Sequence, residues 1–466
     1  MQLHFSWPTT WESYLWLLLL IFSVVGLGYW ADQSSFEIIG PCFAVGFLAY
    51  FILLSYKKYL TDWRFWVLVG IVLRIILLFG MPTLSDDIYR FIWDGRLWLV
   101  GEHPFAQLPE AYINQNQGLP GIDKALFDQL NSPAYFTIYP PFAQGTFILA
   151  CALFFGNILG ATFILKLILL LCEIGSLIII PKILSELKMP QHKVLIYALN
   201  PLVIVELVGN LHYEAAMVFF FLAALYGLIG KKKMQSGLFY ALSILSKLLT
   251  ILFLPFLWSR MGWRKSIPYY IGVLCLVVIG FLPLYNEAFF NGFGSSIDLY
   301  FRKFEFNASF YYLFRWLGYQ WVGYNMIQTI GPRLGLLAVA TIGFWGLLDR
   351  KSDWNSFFQR ALFGITLYLF LATTVHPWYT VLPIVCCVFT NYRFPIIWSA
   401  LATLTYINYS YPVYAENLLI VALEYSVVWA WLGLEWYLQV KRGGKVLIFS
   451  KSNEVYTNYK KLLLSN

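Results

Sequence analysis

The sequence predicts an all-α, polytopic transmembrane helix bundle of about 12 to 14 spans, with interfacial helices in its outer loops. Three observations predict it. Of 466 residues, 60% are apolar and 20% aromatic, yet only 12% are charged, about half the share in a soluble globular chain. The apolar residues fall in blocks of roughly 20, the length at which a helix crosses a ~30 Å hydrocarbon slab. Neither a polar domain nor a repeat of fixed period interrupts the blocks, so residues 1–466 read as a single integral-membrane domain.

The expected spans are 14–31, 36–54, 65–80, 142–155, 162–180, 215–229, 238–257, 269–284, 334–348, 362–374, 379–390, 396–407 and 418–438, with 194–208 broken by Pro201. The opening MQLHFSWPTTWE lacks a basic stretch and a small-residue cleavage site, so the first apolar run is expected to be retained. Asp32 and Glu37 mark the first short loop, and Lys57, Lys58 and Arg64 mark the second, which is therefore cytoplasmic. The third span then delivers the long segment 81–141 to the outer side, and 285–333 forms a second outer loop. A basic tail over 441–466 reads as cytoplasmic and requires an even number of spans. Basic clusters at 182–193, 231–233 and 260–265 each favour the cytoplasm, although one apolar block separates the last two. A re-entrant or broken segment around Lys247 reconciles them.

The net charge of +8 is therefore a topology signal and not a nucleic-acid footprint. The six cysteines, Cys42, Cys151, Cys172, Cys275, Cys386 and Cys387, lie in apolar segments without CxxC spacing. They read as small core residues.

The most informative stretch is Ser85-Asp86-Asp87-Ile88-Tyr89-Arg90-Phe91-Ile92-Trp93-Asp94-Gly95-Arg96. Ser85 is a fitting N-cap, and two acids in the first turn suit the helix dipole. Helical spacing puts Asp86, Arg90 and Asp94 on one stripe and Ile88, Phe91, Ile92 and Leu99 on the other. Such a helix lies flat on the membrane surface. On spacing alone, a capped interfacial helix with an Asp86–Arg90–Asp94 ion ladder explains the pattern better than a catalytic segment does.

That stretch is followed by Gly101-Glu102-His103-Pro104-Phe105 and Thr137-Ile138-Tyr139-Pro140-Pro141-Phe142-Ala143-Gln144. Together they resemble the bacterial GT-C type glycosyltransferases that use lipid-phosphate sugars, closest to the polyprenol-phosphate-mannose-dependent branch. Those sequences carry a DDxYRYxWDGR pattern, then G-x-N-P-Y, then YPP-x-AQ; His103 and Phe105 depart from it. Asn200-Pro201-Leu202 with Glu206 and Gly209-Asn210-Leu211-His212-Tyr213-Glu214 resembles an NPL…E…GNGH-x-DA element, with Leu211 for Gly and Glu214 for Asp. Lys247-Leu248, the segment from Phe304 to Ser309 with Arg315, and His376-Pro377-Trp378-Tyr379 continue the likeness in the same order.

The resemblance implies an inverting transfer of a hexose, mannose by this likeness, from a polyprenyl phosphate to a glycan or lipid acceptor. The site faces outward from a bacterial cytoplasmic membrane. It implies Asp86 as general base, with Asp87 close behind, because a base must reach the acceptor hydroxyl and paired acids raise one pKa. The leaving phosphate needs cations, for which Arg90, Arg96, Lys247, Arg315 and His376 are candidates. Asp94, Tyr139, Asn210, His212, Glu214, Asn307 and Trp378 are candidate substrate contacts. No cofactor is assigned; a divalent cation is compatible with so many acids, but no HxxxH or HxxE spacing supports one. The competing reading is a transporter or lipid flippase, for which intramembrane Lys166, Glu173, Glu206 and Lys247 would line the path. Clustering of Asp86, His212, Glu214 and His376 in one cleft separates the enzyme from a conduit.

Overall fold

The computed structural model describes residues 11–56, 59, 62–115, 118–230 and 233–441. Lys57, Lys58, Lys231, Lys232 and the basic tail beyond Lys441 lie outside the described residues. In chain order the principal helices are α1 (Trp11–Val25), α2 (Phe36–Ser55), α3 (Trp63–Ile76), α4 (Asp87–Leu99), α5 (Pro141–Leu153) and α6 (Ile158–Glu186). They continue with α7 (Glu214–Ile229), α8 (Lys233–Ser246), α9 (Leu254–Met261), α10 (Trp263–Phe281), α11 (Glu287–Arg302) and α12 (Phe310–Val322). The last five are α13 (Ile327–Leu348), α14 (Trp354–Leu371), α15 (Val381–Val388), α16 (Phe394–Ala402) and α17 (Leu418–Lys441). Among the described residues no strand forms beyond a single bridge between Phe306 and Thr374. The protein is the expected all-α polytopic bundle.

The span count needs correction. Among the described residues six helices are long and apolar enough to cross a membrane alone: Trp11–Trp30, Phe36–Ser55, Ile158–Glu186, Trp263–Leu284, Ile327–Leu348 and Leu418–Lys441. A further apolar pair, Gln191–Ala198 and Pro201–Gly209, is bent by 65°, the form of a broken span or a re-entrant loop, because proline at 201 supplies no amide and the Asn200 side chain caps the new turn instead. The remaining apolar blocks form shorter helices, among them the expected span 142–155. It is the 13-residue α5, about 20 Å long, which packs across α4.

Packing of α5 on α4 explains the glycine between Asp94 and Arg96. A Cβ on Gly95 would stand 2.6 Å from the Phe147 carbonyl oxygen and 2.7 Å from Cys151 Sγ. Phe91 and Phe147 stack beside it at 4.5 Å. Overpacking a contact of this kind costs about 1–3 kcal/mol. Gly95→Val is expected to lower the unfolding temperature and to remove activity; a thermal melt of the purified variant that matches the wild type would refute the contact.

The chain is broken at Lys247, where a broken or re-entrant segment is expected. α8 ends at Ser246, a 3₁₀ segment covers Leu248–Phe253, and α9 follows. Tyr240 Oη donates to the Thr250 carbonyl at 2.8 Å and Ser243 Oγ lies 3.0 Å from Thr250 Oγ1, so the chain doubles back at Lys247. Ser236 and Tyr269, joined at 2.8 Å, place the starts of α8 and α10 at the same end of the bundle.

Intramembrane charges are consumed internally. Arg74 Nε donates to Glu173 at 2.9 Å, Tyr197 Oη donates to the same carboxylate at 2.5 Å, and Arg74 also reaches the Ala198 carbonyl at 2.8 Å. Lys166 Nζ donates to the carbonyls of Leu77 and Gly80 at 2.9 and 2.7 Å. These bonds lock α3, α6 and the bent span together. They do not form the open line of charges a conduit would show.

At the other end, the two long loops converge. Ser296 Oγ on α11 donates to the carbonyls of Phe136 and Thr137 at 3.2 and 3.1 Å. The Phe306 amide donates to Thr373 and the Val375 amide donates back to Phe306, at 3.1 and 2.8 Å. α13 already begins at Ile327, so the second long loop is shorter than the expected 285–333. An apolar core from Leu20 to Val428 fills the bundle, and two smaller clusters, one around Tyr311 and one around Phe105 and Phe289, support the loops.

Candidate active site

The first long loop closes on α4 through the side chains that made the sequence recognisable. Asp86 takes the N-cap one residue later than expected, while Ser85 Oγ accepts from the Asp87 amide at 3.4 Å. Asp87 accepts from Asn131 Nδ2 at 2.8 Å and from Tyr139 Oη at 2.9 Å, so both carboxylate oxygens are held. Gln144 links Asp94 and Trp98, donating to the first at 2.9 Å and accepting from the second at 3.0 Å. Asn210 Oδ1 accepts from the amides of Thr83 and Leu84 at 3.2 and 3.1 Å, fixing the approach to Asp86.

Asp86 differs from its neighbour. Asp86 is exposed and its side chain makes no capping bond. Surrounding protein strips water from the carboxyl, and the charges of Asp87 and Asp32 add repulsion, so its pKa is raised above the ordinary range.

Three expected contacts turn inward. Arg90 pairs with Asp94 at 2.9 Å and donates to the Tyr135 carbonyl at 2.8 Å. Arg96 donates to the carbonyls of Phe155 and Gly121 at 3.1 and 2.9 Å. All three side chains are buried, and the ladder expected from Asp86 to Asp94 keeps only its second rung. α4 is thus not a helix with one wet stripe: the loop and α5 cover both stripes. The geometry assigns Arg90, Asp94 and Arg96 to holding the loop.

Opposite Asp87 stands a second group on α7 and the chain break. Lys247 Nζ donates to Glu214 Oε1 and lies 4.7 Å from the centre of the Tyr379 ring. Tyr139 and Tyr379 each sit within electrostatic reach of both Asp87 and Glu214, so the carboxylate pair and the Lys247–Glu214 pair share one cleft. Glu214 Oε2 is buried without a partner.

An aromatic column backs this cleft. His212 stacks on Trp378 at 3.7 Å, Trp378 on His376 at 4.5 Å, and His376 on Phe306 at 4.7 Å. His212 Nε2 lies 3.1 Å from Glu206 Oε2 but is misaligned for a hydrogen bond, as both atoms lack one. Burial, then His212 and Lys247, push the His376 pKa down to about 3. His376 is therefore neutral, which removes it from the cations expected to face a phosphate.

Asn307 and Arg315 hold the second loop. Asn307 adopts φ +46°, a left-handed turn that asparagine tolerates better than most residues. Its Nδ2 donates to both Glu424 oxygens at 3.2 Å, its amide to Glu416, and its carbonyl accepts from Tyr425 Oη at 2.7 Å. Arg315 pairs with Glu305 at 2.5 Å and lies over the Tyr312 ring. Both residues thus brace the loop behind Phe306.

Sequence reasoning missed Asn131, Tyr379, Tyr409 and Glu416. Tyr409 has Asp86, Asp87, Glu206 and Glu416 within electrostatic reach, and Glu416 accepts from Tyr312 Oη and the Asn307 amide. Only Tyr379 carried a signal, as the last letter of the HPWY element. Among the described residues no group of three or more His, Cys, Asp or Glu side chains is gathered as a metal site.

No curated protein and no solved structure matches the chain. One family model does: alpha-(1->6)-mannopyranosyltransferase, N-terminal domain, over residues 28–262, which contain the carboxylate pair, the loop that clasps it, Glu214 and Lys247. A cleft of carboxylates and one reachable lysine, set in a polytopic bundle and matched over half its length, shows that the chain belongs to this MptA_B family of mannosyltransferases and is an integral-membrane glycosyltransferase.

Proposed function

We propose that the enzyme moves mannose, with inversion, from a polyprenyl-phosphate donor to a hydroxyl of a glycan or lipid acceptor at the outer membrane face. The observation that carries this reading is the pairing of two unlike half-sites across Tyr139 and Tyr379. Asp86 has a free, elevated carboxyl at the mouth, while Lys247 reaches into the same cleft beside buried Glu214. The acceptor oxygen attacks C1 of the sugar, its proton passes to Asp86, and the C1–O bond to phosphate breaks. Lys247 meets the charge that grows on the departing phosphate. Asp87 accepts a hydrogen bond from a sugar hydroxyl, buried Glu214 holds Lys247 in place, and the ring of Trp378 borders the pocket.

The outward orientation is supported by basic residues at helix ends and connections away from the cleft: Arg64, Arg260 and Arg264 in terminal helical turns, and Lys188, Arg350 and Lys351 between helices. Basic residues at such positions favour the cytoplasmic side. The loop 81–141 and the shortened second loop before Ile327 then act with the bundle as one catalytic unit. Inversion at a β-linked mannosyl phosphate yields an α-mannoside, in keeping with the family's name.

Purified protein should be given polyprenyl-phosphate mannose, polyprenyl-phosphate glucose and a nucleotide-linked mannose, and the product's anomeric form determined. Transfer from the first alone, giving an α-mannoside, is expected; transfer from the nucleotide sugar would contradict the proposal.

The raised pKa of Asp86 sets the pH dependence. A base must be ionised, so kcat/KM should fall as pH drops through a value above the ordinary carboxylate pKa of about 4. Stability runs the other way. The folded state holds this proton more tightly than the unfolded chain does, so the contribution is present at low pH and lost as pH rises through the folded pKa. An acid limb lying at or below pH 4 would remove Asp86 from the role.

A further inference from the structure

Away from the cleft, α13 packs on α14, but α17 stands apart from that pair. α17 packs on α16 and leaves an open groove of about 570 Å³ toward α14. Its two ends differ in chemistry. Phe310, Phe370 and Trp429 line the end nearer the catalytic loops, whereas Arg360, Trp345 and Trp436 line the other.

Arg360 is the only charged side chain that lines the groove. Its Nε is buried without a hydrogen-bond partner. Asp349 lies 3.6 Å away but already binds Arg260. Arg350 and Lys351 are exposed beside it, so Arg260, Arg350, Lys351 and Arg360 outnumber Asp349 and Asp353 here. Tryptophans beside a cation are the composition of a headgroup belt. From Arg360 to Phe370, α14 rises through about ten residues, or ~15 Å, half of a ~30 Å hydrocarbon core. The groove therefore has the length of one leaflet's acyl chain, with its excess positive charge at the end where that leaflet's phosphates lie.

We propose that this groove binds an anionic glycerophospholipid from the leaflet on the Asp349 side, its phosphate on Arg360 and one acyl chain along Phe363, Phe370 and Trp429. Such a lipid fills the gap between α14 and α17, the helices that lead to His376 and to Glu424.

The test uses the full-length protein in a neutral detergent, with phosphatidylglycerol, phosphatidylcholine and a polyprenyl phosphate as separate probes, read by native mass spectrometry and by the shift in unfolding temperature. Two variants accompany the wild type. Arg360→Gln removes the charge, and Gly433→Phe fills the groove from a position where an added Cβ meets no atom within 4 Å. Phosphatidylglycerol is expected to remain bound and to raise the unfolding temperature, roughly tenfold more weakly in Arg360→Gln and not at all in Gly433→Phe. Equal binding of phosphatidylcholine, unchanged binding in both variants, or binding of the polyprenyl phosphate alone would overturn the proposal, the last by assigning the groove to the donor's chain.

Discussion

Asp86→Asn is expected to lower kcat by about 10²–10⁴-fold, the usual contribution of a positioned general base, while the protein inserts and folds normally. The two acids at the start of α4 differ in what they can still do. Asp87 has committed one oxygen to Asn131 and the other to Tyr139, so it is oriented and is suited to receive a sugar hydroxyl. Asp86 makes no capping bond, is exposed and is repelled by Asp87 and Asp32, so it gains most by taking a proton. An asparagine there keeps the shape and removes that repulsion. The variant should therefore melt no lower than the wild type at neutral pH, with KM little changed. Steady-state kinetics and a thermal melt on the same preparation decide it: wild-type turnover would move the base to another residue.

The second large effect concerns Lys247 and Glu214. The Lys247 side chain is 27% exposed and that of Glu214 1%, so the pair is one-sided: the lysine reaches the cleft and the acid is sealed in protein. Lys247→Met strands a buried carboxylate, a loss of about 3–5 kcal/mol for a broken buried pair, and deprives the phosphate of its cation, about 10²–10³-fold in kcat by analogy with a lost oxyanion donor. The double variant Lys247→Met/Glu214→Gln separates the two losses, since no unpaired charge remains. Its unfolding temperature should recover most of the way while its kcat stays low. Recovery of both would make the pair structural, and wild-type kcat in the single variant would take Lys247 out of the chemistry.

Much of the architecture was legible because a membrane span needs only length and apolarity. The doubling back at Lys247 was legible too, since the basic clusters on either side demanded it. The count of crossings was not, because a hydropathy window does not register the 3₁₀ stretch at Leu248–Phe253 or the 65° bend at Pro201. Each divides an apolar block without changing its composition.

The site was legible to the same degree and for a related reason. Asp87, Tyr139, Glu214, Lys247, His212, Trp378 and His376 all sit in short motifs and do converge. Arg90, Asp94 and Arg96 sit in the strongest motif of all, yet face inward. Helical periodicity separates two stripes but does not reveal that a second layer of protein, α5 and the loop after α4, covers the polar one. The charge on His376 was equally hidden, because its neutrality comes from burial beside His212 and Lys247. Asn131 and Glu416 lie in polar loops with no motif around them. Glu416 bonds the Asn307 amide across 109 positions in the chain, and no local pattern encodes such a contact.

Chemical rescue tests the identity of the base most directly. Asp86→Ala empties the space at the cleft mouth, and a small carboxylate such as formate added to the assay can occupy it. Mannosyl transfer by Asp86→Ala is expected to be nearly absent, then to rise with formate concentration. Asp87→Ala, which loses an oriented hydroxyl acceptor, should not respond. Full activity of Asp86→Ala without formate, or rescue confined to Asp87→Ala, would contradict the account.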